Sequence, residues 1–521
     1  MIGALLPLAV AVPLIVAALS AGLYSSAARN LLLTLTNIAM FVFGVVLVAT
    51  VNHGGVAVAN VGLWPNGIAI PFVADMFSAL MVTATALLTL VCSWFGIVAG
   101  DGRNRFFAPL VLVLAAGVYG ALLTGDLFNL FVFIEVMLLP SYGLLVIFGG
   151  VRRIAAGRLY VATNLLTSTV FLIGVGFVYG VTGTVNIAEL AGATEDSSTV
   201  AAAVTVVLVA LCVKAAVVPV HGWLTQTYPE ASPAVRALFS GLHTKVAIYA
   251  IYRIYAVIFD GSSVYLTIAL VITCATMAIG VFGAVGEGNA RTILVFHMVS
   301  QIGYILLGGA LFGPVGLVAG VFYLLHHMIV KASLFLSTGA VEKTYGTDTL
   351  GEVQGLAKRE LLTAVAFFGA AMSLAGLPPF SGFVAKLLVA EAAVDSRHFL
   401  VLAVVVVVSL FTLMSMLKIW KGMFMGNYAP PKRAEDDSGT GPDAGELAPQ
   451  PPSSGTATTV TAPAVEVDTA PRIPVKLAIP ALVLTVITLG IGLGAQGLLV
   501  FVEQAAAGLY DPTSYVEAVL R

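Results

Sequence analysis

Charge is what this sequence has least of. Only 10% of its 521 residues are Asp, Glu, Lys or Arg, while 59% are hydrophobic, a balance far from that of a soluble domain. The 24 basic and 26 acidic residues nearly cancel, so nothing in the charge pattern points to nucleic acid. Cysteine is as sparse: Cys92, Cys212 and Cys274 fall inside hydrophobic runs without metal-ligand or redox spacing and read as core residues. Nucleotide loops, metal clusters and nucleophile constellations are missing from the sequence, which argues against an enzyme, and no cofactor or metal site is expected.

Apolar runs are what is abundant. They follow one another along nearly the whole chain, each long enough to cross a hydrocarbon core of about 30 Å. The pattern predicts an all-α polytopic membrane protein with about fourteen spans, at 2–22, 30–51, 72–98, 106–124, 127–149, 158–181, 198–224, 234–258, 263–284, 291–312, 315–340, 361–394, 398–424 and 474–502. The first lacks a charged leading region and a small-residue cleavage site, and reads as a retained helix, not a signal peptide.

Basic residues cluster in alternate loops: Arg29; Arg103 and Arg105; Arg152, Arg153 and Arg158; Arg291; Lys343, Lys358 and Arg359; Lys421, Lys432, Arg433 and Arg472. Arg253 and Arg397 are the main exceptions. The positive-inside rule makes the basic set cytoplasmic and both termini external, as an even number of spans requires. Residues 427–472, rich in Pro, Ala, Thr, Ser, Gly and acids, cannot bury a core and are expected to form a disordered cytoplasmic linker.

Five ionisable residues break the apolar runs well inside them: Glu135, Lys214, Lys245, Lys331 and Lys386. A charge near the bilayer centre costs at least ~2.5–3.5 kcal/mol, so such residues face a protein-lined interior and mark ion pathways. At about 1.5 Å per residue, Glu135, Lys214, Lys245 and Lys331 fall in the middle third of the membrane. A row at one depth suggests a lateral relay; the plain alternative is a set of buried pairs that serve stability alone. Burial disfavours the charged form of an acid or an amine, and bringing the two together opposes this. Glu135 close to Lys214 would hold the ammonium charged, and separating them would favour proton release onward.

Histidines accompany the lysines. His243 lies two residues from Lys245, on a different face. His326 and His327 precede Lys331, with His327 and Lys331 four apart on one face and Ser333 and Ser337 following. His297, Ser300 and Gln301 share a face at helical spacing. Histidine titrates near neutral pH, and polar groups with waters between them can pass protons.

Two spans are interrupted. Pro219 frees the carbonyl near Ala215, so the helix is expected to unwind beside Lys214. Gly376, Pro378 and Pro379 break a second span ahead of Lys386. Irregular backbone is tolerated at membrane depth where protein or water surrounds it. The breaks fall in the seventh and twelfth spans, five apart, and an odd offset makes repeats of spans 4–8 and 9–13 inverted. The expected division is therefore 1–105, three leading helices; 106–258, a first five-helix repeat; 259–426, a second, inverted one; 427–472, the linker; and 473–521, a last helix and tail.

Five blocks carry a family resemblance: FNLFVFIEVMLLPSYGL (128–144), KAAVVPVHGWLTQTYPEASPAVRALFSGLHTKVAIYAIYR (214–253), HMVSQIGYILLG (297–308), HHMIVKASLFLSTG (326–339) and GLPPFSGFVAK (376–386). Over about 70–425 the chain resembles the antiporter-like membrane subunits shared by respiratory complex I, membrane-bound hydrogenases and Mrp-type multisubunit Na+/H+ antiporters, the Mrp branch above all. The resemblance implies that Glu135 is the essential glutamate of the fifth helix and Lys214 the lysine of the broken seventh. It makes Lys245 the bridging lysine of the eighth and Lys386 the terminal ionisable residue of the twelfth, with His326, His327 and Lys331 at the central connection. It further implies a cell-membrane assembly with other Mrp subunits that exchanges Na+ and H+, the alternative being a proton-pumping subunit of a complex I-like or hydrogenase redox complex. Glu135 is the only acid deep in a span, so no oxygen cage for sodium is apparent, and this chain is expected to move protons.

Overall fold

The computed structural model describes residues 3–64, 69–262, 265–429 and 471–521; most of the predicted linker lies outside them. Three helices lead the chain: α1 (Leu8–Gly22), α2 (Ser26–Gly54) and α3 (Met76–Val98). A five-helix run follows, formed by α4 (Phe107–Leu123), α5 (Leu127–Val146), α6 (Val151–Thr182), the interrupted pair α8 (Ser198–Ala215) and α9 (Gly222–Thr227), and α10 (Pro233–Ile258), with the short α7 (Ala193–Asp196) before α8. A second run comprises α11 (Leu266–Gly286), α12 (Ala290–Ala310), α13 (Pro314–Tyr345), the interrupted pair α15 (Leu361–Ala375) and α16 (Ser381–Asp395), and α17 (Phe399–Ile419), with the short α14 (Leu356–Arg359) before α15. The chain closes with α18 (Val475–Leu493), α19 (Ala495–Tyr510) and α20 (Thr513–Leu520).

Eleven of the described helices are long and apolar enough to cross a membrane. The predicted spans at 106–124, 234–258 and 361–394 correspond to α4, to α10 with its Arg236, Lys245 and Arg253, and to the pair α15 and α16. Local chemistry sets several helix starts. Asp75 and Ser78 form a reciprocal capping box at α3, and Asp126 accepts from the Asn129 amide at 2.7 Å to cap α5, each satisfying donors that a helix N-terminus leaves orphaned.

The two ends of the bundle are distinct. At one, loops from distant parts of the chain meet through ions: Arg236 and Arg291 both contact Glu342, Arg291 also contacts Asp348, and buried Asp101 joins Lys343 and Ser232. Burial pushes the Asp348 carboxyl above its usual range, and Arg291 opposes that. At the other end, backbone bonds tie Gly125 to Pro71, Leu127 to Val185 and Gly192 to Val257. The loops therefore alternate between ends, as the spacing of basic residues predicts.

The opposite end holds features that periodicity does not reveal. Residues 57–60 and 71–74 form an antiparallel β1 (Ala57–Asn60) and β2 (Pro71–Ala74), in register from Ala57–Ala74 to Asn60–Pro71, a small exception to the all-α expectation. The last predicted span, 474–502, is two helices, because α18 stops at Leu493 and Gly494 leaves helical geometry before α19. Helices α19 and α20 then pack on α3, α10, α13 and β1. Arg253 is buried there, 2.6 Å from Asp75, with its guanidinium 4.7 Å from the Tyr515 ring of α20. Of the three cysteines only Cys92 is fully buried; Cys212 and Cys274 are half-buried, a correction to their reading as core residues.

Candidate functional site

The first break is built around Pro219. Helix α8 ends at Ala215, Ala216 adopts a left-handed conformation at φ 61°, and α9 resumes at Gly222. The Trp223 indole donates to the Val213 carbonyl at 3.0 Å, and the Val218 amide to Thr276 Oγ1 at 3.2 Å, so backbone groups released by the break find side-chain partners. Lys214 sits on the last turn of α8, buried, donating to Asn164 Oδ1 at 2.6 Å.

Glu135, half-buried on α5, receives a hydrogen bond from Ser168 Oγ. It lies within electrostatic reach of Lys214, but the two form no direct ion pair. Helix α6 stands between them and presents Ser168 to the acid and Asn164 to the amine, four residues apart on one face. The pair expected from the sequence is thus a relayed one. Tyr160, one turn earlier on the same face, reaches 3.1 Å from His243 Nδ1, which also pairs with Tyr228 at 3.2 Å. Lys214 is the charge that acts on His243.

Beyond His243 the row enters the second run. Lys245 is fully buried and donates to Thr244 at 2.9 Å; it acts electrostatically on Lys331 and His327. Lys331 is fully buried, its ammonium 5.5 Å from the Phe335 ring and without a hydrogen-bond partner. Both ring nitrogens of His327 are likewise unpartnered, as are His243 Nε2, His326 Nε2, His297 Nδ1 and Gln301 Nε2. A buried polar atom left unpaired is costly, and its concentration along one line marks the space that bridging water would satisfy.

The second break closes the row. Helix α15 ends at Ala375, Gly376 takes φ +88°, and α16 begins at Ser381. Gly382 lets α16 pass against α15, since a Cβ there would collide with the Ser373 carbonyl oxygen. Lys386, buried on α16, donates back to Ala375 O at 2.9 Å and stands 5.3 Å from the Tyr304 ring. His326 pairs with Ser381 at 2.8 Å, and Ser381 with Thr488 of α18. Both Lys331 and Lys386 lie within electrostatic reach of His297, which pairs with Ser415 at 2.5 Å.

The structure thus brings Glu135, Lys214, His243, Lys245, His327, Lys331, His297, His326 and Lys386 into one buried row, with Pro219 and Gly376, Pro378 and Pro379 at its two breaks. It does not bring the nearby serines with them. Ser300 turns to Met277 O on α11, Ser333 to Ala481 and Thr485 on α18, and Ser337 to its own helix. Asn164, Ser168 and Tyr160 were missed, although their i, i+4, i+8 spacing in an apolar run is a readable polar stripe.

Paired broken helices, each with a buried lysine at its break, and a membrane-depth row of ionisable groups between them define a polytopic membrane protein with an ion-transfer interior. The chain belongs to the family described as NADH:quinone oxidoreductase/Mrp antiporter, whose model matches residues 124–412. It is 34% identical to a subunit of the Na+/H+ antiporter of Alkalihalophilus pseudofirmus, over 93% of this chain and 92% of that one. The subunit of the same name in Bacillus subtilis is 32% identical over 98% and 99%. A chain in the structure of the Mrp complex from a Dietzia species superposes with a TM-score of 0.92 at 54% identity, each chain covered in full.

Proposed function

We propose that this chain is the proton-translocating subunit of a multisubunit Na+/H+ antiporter, assembled with other Mrp subunits in the cell membrane. The observation that carries this reading is the unbroken buried row from Glu135 to Lys386, ending in an interrupted helix on the Lys214 side and another on the Lys386 side. In the proposed relay Glu135 sets the charge of Lys214 through Ser168 and Asn164. A shift of α6 or of the break at 216–221 changes that coupling, and the proton passes by His243, Lys245, His327 and Lys331 toward Lys386. Water in the unsatisfied stretch between His243 and His297 supplies the links that side chains leave open.

The reading includes fourteen spans, with the arginine-rich end cytoplasmic, both termini outside, and residues 427–472 a cytoplasmic linker. It divides the chain into 1–105, inverted repeats 106–258 and 259–426, the linker, and 473–521. Sodium is assigned to other parts of the complex, because Glu135 is the only acid deep in a span and one carboxylate does not make an oxygen cage.

The test is Na+-dependent dissipation of a pH gradient in vesicles that hold the whole complex. Wild type exchanges and Glu135→Ala, assembled to the same level, does not; unchanged exchange in the variant would remove Glu135 from the path. A wild-type complex that ignores Na+ but pumps protons on addition of an electron donor belongs to the redox-driven class instead.

A further inference from the structure

On the outer surface of the bundle, away from the buried row, α15 and α18 leave a groove. Its apolar part has a volume of about 390 Å³ and runs beside Val365, Phe368, Leu482, Leu489, Phe380 and Trp420. Toward the arginine-rich end it is continued by a smaller space of about 200 Å³ into which Arg359 and Arg472 project. Leu361 lines both spaces, and Ala478 and Leu482, one helical turn apart on α18, line one each.

We propose that this groove is a binding site for an anionic phospholipid, with one acyl chain between α15 and α18 and the phosphate between Arg359 and Arg472. The dimensions fit: from Val475 to Leu489 the groove follows about 21 Å of helix at 1.5 Å per residue, against about 15 Å for the hydrocarbon of one leaflet. An acyl chain that starts at the arginines therefore reaches the bilayer centre, where Phe380 forms part of the second break. The chemistry fits as well. The groove walls are apolar and its neighbours on α15, Leu361 and Val365, are exposed at 65% and 48%, as expected of a lipid-facing surface.

Its mouth carries the opposite character. The Arg359 guanidinium is pinned by the Tyr345 hydroxyl at 3.2 Å, by Glu360 at 3.8 Å and by the Tyr428 ring at 4.2 Å. Arg472 is exposed beside it, with Lys358 and Lys476 exposed nearby. The acid at the mouth, Glu360, is turned inward to the Tyr345 hydroxyl at 2.7 Å. A planar guanidinium held in place is suited to a phosphate oxygen pair, and basic pockets between membrane helices are how anionic headgroups are recognised.

Trp420 on the groove wall provides the readout. The purified complex is reconstituted with phosphatidylglycerol brominated in its acyl chains or with phosphatidylcholine brominated in the same way. The difference in fluorescence between wild type and Trp420→Phe isolates quenching at the groove. The anionic lipid is expected to quench this component at lower mole fraction, by about fivefold for each arginine that contributes, and Arg472→Gln is expected to remove one such factor while Arg472→Lys restores much of it. Equal quenching by the two lipids would mean bulk contact only, and absence of quenching by either would mean that a protein surface covers the groove; both overturn the proposal. Neither outcome depends on whether the complex exchanges Na+ for H+.

Discussion

At the first interrupted helix the lysine stands before the break, and at the second it stands after it. That reversal changes what each lysine does for the fold. Lys214 points away from its own break to Asn164 on α6, and the backbone released at the break is satisfied by Trp223 and Thr276. Lys386 reaches back across its break and caps Ala375 O itself. The backbone turns differ in the same sense, since the left-handed residue is an alanine at 216 and a glycine at 376. One lysine is thus free to answer to an acid, while the other is also a structural cap, so the two ends of one proton row respond differently to the same substitution.

The sharpest contrast comes from replacing each lysine. Lys214→Met and Lys386→Met are both expected to abolish exchange, but only Lys386→Met strips the cap from α15, at a cost of about 1–3 kcal/mol for an unpaired buried carbonyl. The melting temperature of the purified complex should therefore fall for Lys386→Met more than for Lys214→Met. Lys386→Arg should keep the cap and still lose exchange, because a guanidinium does not release its proton. Equal melting of the two Met variants would erase the distinction between the breaks.

A second contrast concerns the relayed coupling, which only the first break has. Asn164→Leu combined with Ser168→Ala removes hydrogen bonds to an amine and an acid, worth about 1.5–3 kcal/mol where a charge is involved. Exchange at fixed pH should drop by roughly ten- to a hundredfold, while the same vesicles show the complex intact. Wild-type rates would mean that Glu135 and Lys214 communicate by another route.

Smaller effects follow from the backbone. Trp223→Phe withdraws the donor from Val213 O and should destabilise by about 1 kcal/mol or somewhat more, read as a lower melting temperature. The left-handed positions should give opposite signs: Gly376→Ala adds a Cβ 2.6 Å from Lys386 Cδ and costs about 1–2 kcal/mol in that conformation, whereas Ala216→Gly relieves part of a similar strain. If both substitutions destabilise equally, the two turns are under the same constraint and the comparison fails at this level.

Much of this was legible in the chain. The apolar runs located the helices because a bilayer core imposes a length. The deep ionisable residues located the row because an apolar surround makes each of them costly. What did not transfer from pattern to structure is informative. Helical spacing grouped Ser300 with His297 and Ser333 with Lys331, but a short hydroxyl bonds to whichever carbonyl or hydroxyl is nearest, and neighbouring helices decide that. The interposition of α6 was invisible for the opposite reason: Glu135 and Lys214 lie at one depth, and depth says nothing of lateral order. Arg253, which sits against the distribution of basic loops, is explained by Asp75, a partner far away in sequence. The close of α18 at Gly494 was hidden because the apolar run continues past it.

The cover over Arg253 has a consequence for biogenesis. Asp75 has already been synthesised when α10 emerges, so the ion pair is available as that helix enters the bilayer. The aromatic lid, Tyr515, lies roughly 260 residues further on, which at about 5–20 residues per second is a delay of about 13–50 s. For that interval the guanidinium has its anion but not its apolar shield, and the assembling bundle presents a half-covered charge to lipid. Arrival of α20 ends that exposure, which makes the docking of the C-terminal helices a late step by which a finished subunit differs from one still being made.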